Sequence, residues 1–108
     1  MGCTPHAGPT RDIILVARGM AFVYEDQPQE ANPPIQLRAG ERVRLVLRNE
    51  APGLLHDIDI PALDVRLEQM RAGESRDVTF TVPAVHGQHE YRCRPHSAMM
   101  KGIVEIAP

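Results

Sequence analysis

Between Cys93 and Met100 the chain carries a thiol, an imidazole and two thioethers: Cys93, His96, Met99 and Met100, in the run Y-R-C-R-P-H-S-A-M-M-K-G-I-V-E-I. These are soft or borderline donors. A thiolate with two imidazoles in a trigonal set, plus a weak and long axial thioether, suits a copper ion that cycles one electron at a time. The run lacks only a second His. His56, in L-L-H-D-I-D-I, is the best candidate for it. Spacing alone leaves both Met99 and Met100 open as the axial donor.

The segment resembles the copper-ligand loop of the cupredoxins, the small blue-copper proteins. C-R-P-H is similar to the C-x-P-H of plastocyanin, pseudoazurin and amicyanin, and H-S-A-M-M-K-G to the H-S-A-x-M-K-G of azurin. The resemblance is strongest over residues 88–106 and continues more weakly from residue 35 to the C-terminus. It implies an all-β, cupredoxin-like domain holding one copper ion, with His56, Cys93 and His96 as ligands. In the family the axial Met stands two residues before this Gly, here Gly102, so Met100 is the implied axial ligand and Met99 the alternative. The implied function is a mononuclear type 1 copper protein that carries single electrons and is not itself an enzyme. Redox partners would dock transiently near His96, and the location would be periplasmic or otherwise extracytoplasmic.

Three residues depart from or qualify the pattern. Asp57 stands where many members have Asn after the first His, and a carboxylate there would add negative charge near the metal and favour Cu(II). Leu55 precedes His56 where azurin has Gly, so four ligands are expected. Pro95 lacks an N–H, which removes one donor to the cysteine sulfur and should lower the reduction potential somewhat.

The elements that must position these side chains read as strand after strand. R-D-I-I-L-V-A-R and M-A-F-V-Y precede a loop marked by Pro33 and Pro34, I-Q-L-R ends at the Ala39-Gly40 turn, and E-R-V-R-L-V-L-R alternates with Val43, Leu45 and Leu47 on one face. Residues 49–55 form a loop around Pro52-Gly53, and H-D-I-D-I then puts His56, Ile58 and Ile60 on one face. Residues 61–70 fit either reading, with a short helical turn expected around 65–70. S-R-D-V-T-F-T-V alternates again, H-E-Y-R-C places His89, Tyr91 and Cys93 together, and K-G-I-V-E-I closes the chain. Seven or eight short strands separated by turns argue a Greek-key β-sandwich or barrel over residues 11–108. A hairpin-like loop then folds Cys93, His96 and Met100 around one point, while His56 at the mouth of a neighbouring strand completes the set from across the sandwich.

Composition sets limits on the whole. A chain of 108 residues is the size of one domain. A net charge of -2 gives no footprint for nucleic acid, and no apolar run approaches the roughly 20 residues of a membrane span. A monomer is expected. Residues 1–10 lack periodicity and read as a flexible leader. The Gly2-Cys3 pair resembles what remains after a bacterial lipoprotein signal is cut, so a lipid anchor at Cys3 is a further expectation.

Plainer readings stand beside these. Cys93 could be a buried, inert thiol or pair with Cys3, His56 could be a core histidine, and both methionines could fill core gaps. His86 and His89 read as turn and strand-surface residues, and Arg42, Arg44 and Arg48 as a solvated face. Two other functions would use similar donors. A copper chaperone or resistance protein would hold Cu(I) in an open site, and an electron-feeding domain would serve a larger copper oxidoreductase. A binuclear site would need a second Cys in the loop, which residues 94–97 do not supply.

Overall fold

The computed structural model describes residues 9–108, so the Cys3 expectation and most of the leader lie outside the described residues. Among the described residues, nine strands form two facing sheets. The first has the order β2-β1-β4-β7 and the second β3-β9-β8-β5-β6. In chain order they are β1 Arg11–Arg18, β2 Ala21–Tyr24, β3 Ile35–Arg38, β4 Arg42–Asn49, β5 His56–Ile60, β6 Val65–Met70, β7 Ser75–Thr81, β8 Gly87–Arg92 and β9 Lys101–Ala107. β1 lies parallel to β4, and β3 parallel to β9. Neither pair can be joined by a hairpin, so the chain crosses between sheets, as in a Greek-key sandwich.

Period-two patterning builds the interior. β4 buries Val43, Leu45 and Leu47 and turns Arg42, Arg44 and Val46 outward. These pack with Leu15, Phe22, Ile58, Ile60, Leu67, Tyr91 and Val104 in one apolar cluster that also contains Cys93 and Met100. The arginine face is solvated and ion-paired: Arg44 with Asp12 and Asp77, Arg48 with Glu25 and Glu50.

One expectation is corrected. The segment 65–70 is a strand antiparallel to β5, not a helical turn. The short helical turn falls just before it, at Pro61–Leu63, where Pro61 starts the turn and Asp64 ends it in the left-handed region at φ 54°. V-R-L-E-Q-M satisfies both periods locally. Pairing to β5 and burial of Val65 and Leu67 on one face decide for the strand.

Two loops shape the end of the sandwich where β5 begins. Gly19, at φ 55°, makes the tight turn between β1 and β2. Buried Asn49 braces residues 49–55: its Nδ2 donates to the carbonyls of Leu54 and Met70, both at 2.9 Å, and its Oδ1 accepts from the Ala51 N–H at 2.8 Å. A fully bonded buried amide of this kind gives the loop a single path, and the path delivers His56.

Candidate metal centre

His56 opens β5 with no solvent exposure, and because β5 pairs with β8 in one sheet it reaches Cys93 from a neighbouring strand, not from across the sandwich as expected. Its Nε2 lies 2.8 Å from the Gly19 carbonyl on the opposite sheet. A carbonyl only accepts, so Nε2 carries the proton and Nδ1 keeps its lone pair. Burial pulls the His56 pKa down, partly offset by that carbonyl, and this favours the neutral ring. Cys93 directly follows β8, the strand that pairs with β9, and is buried; a short helical turn at Arg94–His96 comes next, with Pro95 near its start. A turn beginning with Pro loses no hydrogen bond it needs. The turn lifts His96 back over the sulfur.

The result is a convergence. Cys93 Sγ lies 3.6 Å from His56 Nδ1 and 3.5 Å from His96 Nδ1. The two rings meet edge to face with centroids 5.0 Å apart, and the three donor atoms all fall within 4.8 Å of one another. Ligands bound to one ion at about 2.0–2.3 Å in a trigonal plane lie roughly 3.5–4 Å apart, and both sulfur-to-nitrogen distances fall in that range, so the set fits a single metal ion. The donors are a thiol and two imidazoles, soft to borderline, which is the chemistry of copper rather than of calcium or magnesium.

The loop is tied down by its own backbone. The Cys93 N–H donates to the Met100 carbonyl at 3.0 Å, while the Met99 and Met100 N–H groups both donate to the His96 carbonyl, at 3.0 and 2.8 Å. Met100 is fully buried in the core cluster with Cys93, whereas Met99 is 61% exposed at the loop tip. Behind the loop, Gly102 has no room for a side chain, because a Cβ there would meet the Tyr91 ring at 2.6–2.7 Å.

Burial pushes the Cys93 thiol up, against the backbone N–H groups of Asp57 and His96, which favour the thiolate. A coordinated cation deprotonates such a thiol outright. The negative charge that Asp57 adds near the centre has a partner. The Asp57 carboxylate is fully buried and accepts from the Arg94 N–H and from Arg94 Nε, both at 2.8 Å, and the same guanidinium reaches Glu68 at 3.1 Å. Arg94 therefore offsets the charge that Asp57 brings.

Sequence reasoning found His56, Cys93, His96 and both methionines, and the first three come together. It missed Gly19, Asn49 and the Arg94 partner of Asp57. Of these only the Asn-x-x-Pro-Gly loop carried any signal. His86 lies on an exposed turn, and His89 bonds the Val85 carbonyl at 2.7 Å, away from the centre.

Residues 34–107 match the sequence model of the copper-binding proteins of the plastocyanin/azurin family. No curated protein matches the sequence. Among solved structures, the chain is similar to dithionite-reduced auracyanin from the photosynthetic bacterium Roseiflexus castenholzii, with TM-score 0.72 and 19% identity over 94% of this chain and 100% of that one. It is similar to auracyanin B, with TM-score 0.72 and 24% identity over 94% and 91%. It is also similar to a copper nitrite reductase from Nitrosomonas europaea, with TM-score 0.73 and 21% identity, over 93% of this chain but 42% of that one. At these identities the structural likeness shows the fold.

Proposed function

The chain belongs to the plastocyanin/azurin family of copper-binding proteins, and from that premise we propose that it is a one-electron carrier whose single copper is held by His56, Cys93, His96 and Met100. The observation that carries the reading is the convergence of one thiol and two Nδ1 atoms at 3.5–3.6 Å. Copper supplies a couple between Cu(I) and Cu(II).

The chain's own residues supply the rest. The Gly19 carbonyl holds His56 in the tautomer that presents Nδ1. The four hydrogen bonds among Cys93, His96, Met99 and Met100 keep the loop in one conformation, so little reorganisation accompanies a change of charge. Burial favours Met100 over Met99 as the weak axial donor. His96 is the only one of the four that reaches solvent, and it is the electron exit. Around it Leu55 and Met99 are 47% and 61% exposed, with Pro95 and Ala98 also at the surface. Small, weak interfaces of this apolar kind suit redox partners that must release quickly. A monomeric carrier acting outside the cytoplasm, with or without a lipid on Cys3, completes the reading.

The copper nitrite reductase, matched over less than half its length, supports a second reading, in which this fold feeds electrons within a larger oxidoreductase. Copper-loading the protein, oxidising it and recording its visible spectrum and voltammogram tests both against a chaperone. An intense thiolate-to-copper band and a reversible couple are expected. A colourless protein that gives up Cu(I) readily would point to copper transfer instead. Assaying the loaded protein for nitrite or oxygen reduction separates carrier from enzyme component.

A further inference from the structure

We propose that Asn32 is a positioning residue for the peptide that carries the axial ligand; the idea rests on the assignment of Met100 above. Asn32 lies before the stretch matched by the family model and 67 residues from its target. Its Nδ2 donates to the Met99 carbonyl at 3.1 Å. The other end of the same peptide unit, the Met100 N–H, donates to the His96 carbonyl at 2.8 Å. The plane joining Met99 to Met100 is therefore gripped at both ends, and that plane sets the direction from which the Met100 side chain departs.

Asn32 is itself held hard. Its Oδ1 accepts from the Phe22 N–H at 2.9 Å, and its own N–H donates to the Phe22 carbonyl at 2.7 Å. Because the Phe22 N–H needs an acceptor, the amide has one orientation only, with Nδ2 toward Met99. The backbone stands at φ 50°, a region where Asn is among the best tolerated of the residues that have a side chain. The next residue, Pro33, offers its carbonyl to the buried Tyr91 hydroxyl at 2.6 Å. Tyr91 stands two residues before Cys93, and its ring covers Gly102. One rigid corner thus fixes both the strand that enters the centre at Cys93 and the peptide that leaves it at Met100.

Two variants test this. Asn32→Asp keeps an acceptor for Phe22 and tolerates the same φ, but it loses the donor and sets an oxygen against the Met99 carbonyl. Asn32→Gly keeps the backbone conformation and is neutral. In the copper-free protein, both should speed amide exchange at Met99 and Met100 several-fold while Val104 exchanges as before. In the copper-loaded protein, both should alter the ratio of the thiolate charge-transfer bands and the electron paramagnetic resonance signature, and a chelator should strip copper a few-fold faster. Unchanged spectra and exchange in both variants would make Asn32 a corner residue only, and a change confined to Asn32→Asp would reduce the effect to added charge; either overturns the tether. If the unaltered protein shows no thiolate band with copper, the carrier reading has failed, and the copper-free exchange still decides for or against the tether.

Discussion

The two histidines of the centre are held in opposite ways. His56 belongs to the scaffold: it opens a strand, is wholly buried, spends its Nε2–H on Gly19 of the facing sheet, and is delivered by a loop that Asn49 braces with three bonds. His96 belongs to the loop: it sits in a single helical turn, partly exposed, held by backbone bonds within residues 93–100. The difference teaches what an electron-transfer centre asks of a fold. One side must be immovable so that the cage keeps its shape, and one edge must lie close enough to solvent for a partner to couple to it.

Cys93 joins the two halves, so the largest effect is expected there. Cys93→Ser should abolish the visible band of the copper-loaded protein entirely, since an alkoxide offers no comparable charge transfer. A blue Cys93→Ser protein would remove the basis of the site.

Removing each histidine in the copper-free protein separates the halves. His56→Ala leaves a cavity and an unsatisfied Gly19 carbonyl, at a cost of about 1–3 kcal/mol in urea unfolding. His96→Ala, on a partly exposed turn, should stay within about 0.5 kcal/mol of the parent. Equal losses would mean that the loop is as much part of the scaffold as β5 is.

The methionines repeat the contrast. Met100→Ala should shift the reduction potential, whereas Met99→Ala, at the exposed tip, should leave spectrum and potential nearly intact and slow electron exchange with an apolar-faced partner. The reverse outcome in voltammetry would reassign the axial ligand.

A smaller shift is expected from the ion pair that spans the halves. Asp57 lies on the scaffold side and Arg94 on the loop side. Asp57→Asn removes negative charge beside the metal and should raise the potential. Arg94→Ala strips away the compensating positive charge and should lower it, by an amount that shrinks as salt is added because Arg94 is open to solvent, whereas the shift from the buried Asp57 should depend less on salt. Shifts of the same sign would mean that the pair acts through loop geometry, not charge.

How much of this was legible beforehand follows from the range of each interaction. Cys93, His96 and both methionines lie within one loop, and the alternating strands around them bury one face by simple periodicity, so local spacing was enough to gather these donors, though not to choose Met100 over Met99. The strand at residues 65–70 was not legible, because V-R-L-E-Q-M fits two periods and only its partner β5 chooses between them. Gly19, Asn32 and Arg94 act on residues 37, 67 and 37 positions away. All three act on or through backbone groups, at least in part, and these leave no trace in side-chain pattern. The Arg94 partner of Asp57 was not legible, because nothing near Asp57 in sequence announces that a residue after Cys93 folds back to meet it.

The far end of the sandwich supplies the smallest effect and a control for all the others. β1 runs from Arg11 to Arg18 beside the centre, roughly 23 Å at about 3.3 Å per residue. At its remote end the Glu41 carboxylate accepts from Arg11 Nε and Nη2 at 3.0 and 2.9 Å and from the Arg38 N–H at 2.7 Å. The Arg11 guanidinium holds the Glu41 carboxyl below its ordinary 4.5. The unfolded chain therefore binds the proton more tightly than the folded one, so this contribution is fully present above pH 4.5 and fades as pH falls below it. For a pair this close to the surface the contribution is about 0.2–1 kcal/mol. Glu41→Gln should lower stability by that amount near neutrality, flatten the acid limb of the stability curve, and leave the copper spectrum untouched. A spectral change in Glu41→Gln would mean that strain passes along the whole length of β1 to Gly19, and His56 would then owe its position to the entire sheet, not to the turn that touches it.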